Sequence, residues 1–98
     1  MTVKLSLTVN DAPIRTDYFV ESFIDHTVSG MIESLEGTGK IKDLKLSIDG
    51  DKLTVNLNGA PVQINPFVTR IIKATTVGMV STLKGVSDIK KLKIEIGK

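Results

Sequence analysis

The sequence predicts an α+β fold, a two-layer sandwich in which a mainly antiparallel sheet carries two helices on one face. Three observations lead there. Polar and apolar residues alternate in short runs, beginning with "KLSLTV" at 4–9. Two longer runs place apolar residues at helical spacing. The second half of the chain repeats the first: laying residues 3–50 over 51–98 without a gap matches more than a third of the positions, several times what ordinary residue frequencies produce. A solenoid needs about three stacked repeats. Two copies instead suggest one domain, 1–98, made of repeats 3–50 and 51–98 related by a pseudo-two-fold axis, like a homodimer fused into one chain.

The opening strand of each copy points Val3, Leu5, Leu7 and Val9, or Leu53, Val55 and Leu57, to one side. "NGAP" at 58–61 follows, and Asn-Gly favours a type I′ turn because both central residues want positive φ. Folding back there pairs Leu57 with Ala60 and Val55 with Val62; Asn10-Asp11 does the same for Val9 with Ala12 and Leu7 with Ile14. Pro13 and Pro61 cannot donate a ladder hydrogen bond, so the return strands should be short and near an edge. If they are only linkers, the plan reduces to a ferredoxin-like βαββαβ unit.

Helix starts come next. Asp17 is the expected N-cap of the first helix and Asn65 of the second, with Pro66 at the first helical position, where its missing N–H costs nothing. The helices are expected to run to about Glu36 and Lys84, stopped by Gly37 and Gly85. At helical spacing Phe19, Val20, Phe23, Ile24, Thr27, Met31 and Leu35 share one arc, as do Phe67, Val68, Ile71, Ile72, Thr75, Met79 and Leu83. Gly30 and Gly78 fall inside these arcs, so they are expected to be buried where the helices cross, letting the two backbones approach. A closing strand directs Leu44, Leu46 and Ile48, or Leu92, Ile94 and Ile96, inward. A tight hairpin at Asp49-Gly50 should then pair Leu46 with Leu53 and Leu44 with Val55.

Several function classes lose support at this level. There is no cysteine, so disulfides and thiolate metal sites are excluded and a cytoplasmic location is the expectation. No apolar run approaches the roughly 18 residues of a membrane span, and no membrane partner is expected. The net charge of +2 and pI near 9.0 are too mild to imply nucleic acid. "GTGK" at 37–40 lacks the strand before, the helix after and the Ser or Thr behind the lysine that a phosphate loop requires. "DGD" at 49–51 lacks the ligand spacing of a calcium loop and reads as a turn. His26 is the only histidine; with Glu33 it forms the one conceivable acid–base pair. No cofactor is expected, and an enzyme is the least favoured reading. Met31 and Met79 read as core fillers.

Two surface patterns remain. The first helix and its cap carry Asp17, Glu21, Asp25, Glu33 and Glu36 without a base, whereas the second carries Arg70, Lys73 and Lys84 without an acid. This polarity suits docking of acidic helix on basic helix, whether between copies in a homo-oligomer or onto a protein partner. The uncovered sheet face should hold Lys4, Lys45, Lys52, Lys91 and Lys93, which suit weak, sequence-independent nucleic-acid contact. All four aromatic residues lie in helices rather than on that face, against a base-stacking reader. A non-enzymatic protein-interaction or self-assembly module is therefore the leading expectation, and nucleic-acid binding the alternative.

The runs "NGAPVQINPFVTRII" and "GMVSTLKGVSDIKKLKIEI" resemble small uncharacterised prokaryotic domains, archaeal-like in character, with an N-G hairpin, an N-x-F-V helix start and an S-L-K-G type of helix end. The resemblance is fainter in the first copy, where Asn-Asp and "SLEG" stand instead. It implies a structural framework and transfers no activity, cofactor or site residue.

Overall fold

The computed structural model describes residues 4–35, 40–86 and 88–97; Val3, Glu36 and Gly37 lie outside them. The elements are β1 (Lys4–Val9), β2 (Ala12–Pro13), α1 (Tyr18–Glu33), β3 (Asp43–Asp49), β4 (Lys52–Leu57), β5 (Ala60–Pro61), α2 (Pro66–Val80) and β6 (Lys91–Gly97). They make an α+β structure with one six-stranded antiparallel sheet in the order β2-β1-β6-β3-β4-β5. A thickness of 18 Å against breadths of 36 and 34 Å suits two layers, since packed layers lie about 10 Å apart. The strand order is unchanged when the two halves are exchanged.

Local chemistry explains the turns. Asn10 and Asp11 have φ of 51° and 67°, and Asn58 and Gly59 have 52° and 84°, the left-handed pair that a type I′ hairpin demands. Val9 then faces Ala12 and Leu57 faces Ala60, with Ile14 N donating to Leu7 O and Val62 N to Val55 O. The return segments thus pair, two residues each, at the two sheet edges where proline is tolerated. The reduced βαββαβ plan required them to be linkers, and they are not.

The central hairpin differs by one residue from the expected turn. Its two-residue loop is Gly50-Asp51, with Gly50 at φ 59°, so Ile48 faces Leu53 and Leu46 faces Val55. A shift of two positions along the ladder keeps every side chain on its face. The apolar face is built in rows of four: Leu7, Ile94, Leu46 and Val55 lie abreast, as do Leu5, Ile96, Leu44 and Leu57. Leu44, Leu46, Ile94 and Ile96 are fully buried, each worth about 1.5–3 kcal/mol.

The helix caps are as the sequence implies: Val20 N donates to Asp17 Oδ1 at 2.9 Å and Val68 N to Asn65 Oδ1 at 2.7 Å. The ends come sooner than expected, at Glu33 and Val80. Ser34, Ser81 and Thr82 hydroxyls donate to the carbonyls of Gly30, Gly78 and Met79, and the chain after Val80 tightens into shorter turns. Gly85 does take the left-handed conformation, φ 85°.

Which helical face meets the sheet overturns one expectation. The rows packed on the sheet are Ile24, Val28 and Ile32 in α1 and Ile72, Thr76 and Val80 in α2, about 100° round each helix from the centre of the expected arc. Gly30 and Gly78 are consequently exposed, and a Cβ built on either meets nothing within 4 Å. They do not mediate a contact between α1 and α2. The sheet accepts the branched aliphatic row, which fills the rows of four beneath it, and this turns the glycines outward.

Candidate interaction surface

Rotation of the helices leaves a second apolar stripe on the outside of the helical layer. Tyr18 is 86% exposed, Phe19 70%, Phe23 50%, Phe67 58% and Ile71 45%. With about 200 Å² for an aromatic side chain, these five together expose about 600 Å², divided between the start of α1 and the start of α2. Phe19 and Phe23 stand together, ring centroids 6.0 Å apart and tilted at 39°. Between the helices runs an apolar groove of about 400 Å³ whose lining includes Phe19, Phe23 and Thr27 on one side and Thr75, Met79 and Leu83 on the other. The start of α1 therefore lies beside the end of α2, and the helices run antiparallel. Met31 and Met79 are half-buried and pack against the core.

The charged residues singled out on the helices are only partly brought to this surface. Asp25 is buried and accepts a hydrogen bond from Ser29 Oγ at 3.0 Å, so it is not a docking charge. Its position beside the sheet-facing row follows from the same helix rotation. Glu21 is half-buried and accepts from Thr16 Oγ1; Lys73 is half-buried with its ammonium 3.6 Å from Asp51. Glu33, Arg70 and Lys84 are exposed. Glu36 lies outside the described residues.

His26 is exposed on α1 beside Phe23, in a shallow hollow that does not include Glu33. No group of three His, Cys, Asp or Glu suited to a metal ion occurs among the described residues, and no helix among them is long and apolar enough to cross a membrane.

On the opposite side of the molecule Lys4, Lys45, Lys52, Lys91 and Lys93 all point outward from the sheet and are exposed. Acids are interleaved with them. Lys93 lies 4.0 Å from Glu95 and Lys91 3.7 Å from Asp11, while Lys45 faces Glu95 and Lys52 faces Asp49 across the ladder.

The asparagines of the two edge hairpins do more than turn the chain. Asn10 Oδ1 accepts from Lys90 N and Lys91 N, and its Nδ2 donates to Asp88 O. Asn58 Oδ1 accepts from Lys42 N and Asp43 N, and its Nδ2 donates to Lys40 O. Each half thereby holds the segment entering the other half's closing strand. The signal available beforehand was that, of the two central turn residues, Asn is kept at both hairpins while its neighbour changes from Asp to Gly.

No family model matches the chain, and neither the curated proteins nor the solved structures contain a significant match to it.

Proposed function

We propose that this protein is a non-enzymatic self-association module that works through the outer face of its helical layer. The observation that supports this most is the exposure of Tyr18, Phe19 and Phe23 at the start of α1 and of Phe67 and Ile71 at the start of α2. Exposed aromatic side chains of this kind are what protein interfaces bury as anchors. The reading differs from docking driven by charge alone, because Asp25, Glu21 and Lys73 are engaged within the chain. The repeated element order and the matched asparagine contacts support descent of the chain from a duplicated unit of the 3–50 type.

Nucleic-acid contact through the lysine face is the second reading, favoured by five exposed lysines on one surface. The carboxylates among them reduce its positive field, so solubility and edge protection are the better account of that face.

Sedimentation of the wild-type chain from micromolar to millimolar concentration tests the first reading. A mass that rises toward the dimer, and stays monomeric in Phe19→Ser/Phe67→Ser with an unchanged circular dichroism spectrum, supports it. A monomer throughout removes it. An electrophoretic shift with single-stranded RNA at low salt, abolished by Lys45→Glu/Lys93→Glu, would favour the second.

A further inference from the structure

We infer that the occupant of the helical face is a second copy of this chain, related by a two-fold axis that lays α1 of each copy across α2 of the other; this rests on the self-association reading above. Each helix carries the same outward profile, bulky in its first half and bare in its second. On α1 Phe19 and Phe23 precede Gly30, and on α2 Phe67 and Ile71 precede Gly78 at the same spacing. The bulky residues are exposed and the glycines open onto empty space. Because the helices are antiparallel, each bulky half lies beside a bare one. The layer therefore presents raised and lowered quarters in alternation, a shape complementary to a second copy of itself.

Seating Phe19 and Phe23 on the turn around Gly78 of the second copy, and Phe67 and Ile71 on the turn around its Gly30, uses all four quarters. The same placement runs α1 antiparallel to α2 of the second copy, so the exposed carboxylate at the end of α1, Glu33, lies over the first turns of that α2, where Arg70 is the exposed base. Opposite charges then meet twice at the rim, once for each equivalent contact. Pairing like helices instead sets Glu33 against no base. The four seated side chains expose roughly 400 Å² before the groove is counted, about half of the ~800 Å² per partner of a stable interface.

The glycines give a test in which folding and association separate. In Gly30→Leu/Gly78→Leu the added side chains find open space in the monomer and improve helix propensity. We expect it to melt no lower than wild type, and its dimer affinity to fall about a hundredfold, since four crowded contacts are created, two of each kind by symmetry. Glu33→Arg and Arg70→Glu should each weaken their own dimers about tenfold, and an equimolar mixture of the two should recover wild-type affinity, because the mixed dimer restores both opposite-charge contacts. If wild type dimerises and Phe19→Ser/Phe67→Ser abolishes this, but the glycine variant associates normally or the mixture fails to recover, the dyad arrangement is wrong and the self-association reading survives. A wild-type chain that stays monomeric removes both.

Discussion

The two helices occupy equivalent places on the sheet yet bury different chemistry. α1 seats Ile24, Val28 and Ile32, all at or below 1% exposure, and keeps its polar pair, Asp25 and Ser29, to the side, where the hydroxyl donates to the carboxylate. α2 seats Ile72, Thr76 and Val80. Thr76 stands where α1 has Val28, fully buried, and its hydroxyl has no hydrogen-bond partner. The polar pair of α1 shares a hydrogen bond, whereas the Thr76 hydroxyl of α2 is a desolvated oxygen without one. Val28 and Thr76 therefore agree in shape more closely than in polarity, and the unpaired hydroxyl predicts that α2 is the less firmly held helix.

The largest expected effect asks whether both rows carry the fold. Ile24→Ala and Ile72→Ala, each removing an aliphatic side chain 1% exposed, should cost about 3 kcal/mol apiece in urea unfolding. A loss below about 1 kcal/mol at Ile72 would show that α2 is barely seated. A smaller effect probes the crossed asparagine contacts. Asn10→Ala and Asn58→Ala remove three side-chain hydrogen bonds each and place alanine at φ near 50°, with an expected loss of about 2 kcal/mol. Similar values at the two sites would support their equivalence; a negligible value at one would break it. The smallest change is a gain. Thr76→Val removes the unpaired hydroxyl at nearly constant volume and should stabilise the protein by about 1 kcal/mol, while Val28→Thr should destabilise by a similar amount. Amide exchange should then slow in α2 of the first variant and quicken in α1 of the second. Equal exchange in both helices of the wild-type chain would contradict the difference in anchoring.

What could be read directly was local. The edge hairpins follow from Asn10-Asp11 and Asn58-Gly59, and their register follows from alternation in "KLSLTV" and "KLTVNL". The caps follow from Asp17, Asn65 and Pro66. The central turn was displaced by one residue because Asp49, Gly50 and Asp51 all suit a turn and either placement keeps the same face inward. Of the docking charges, Glu33, Arg70 and Lys84 are where a surface role needs them, but the burial of Asp25 depends on helix rotation, which residue spacing leaves open.

The sequence by itself determined the two helices and four long strands, their order, the two edge turns and the inward face of every long strand, because backbone dihedrals and a period of two are set by neighbouring residues. Tertiary structure decided that β6 inserts between β1 and β3, and that Asn10 and Asn58 reach across to the opposite half. It also chose which apolar stripe of each helix meets the sheet. Both helices carry apolar residues around more than one face, so periodicity identifies a set of candidates and only the shape of the sheet beneath selects among them. That selection left Phe19, Phe23, Phe67 and both glycines facing outward.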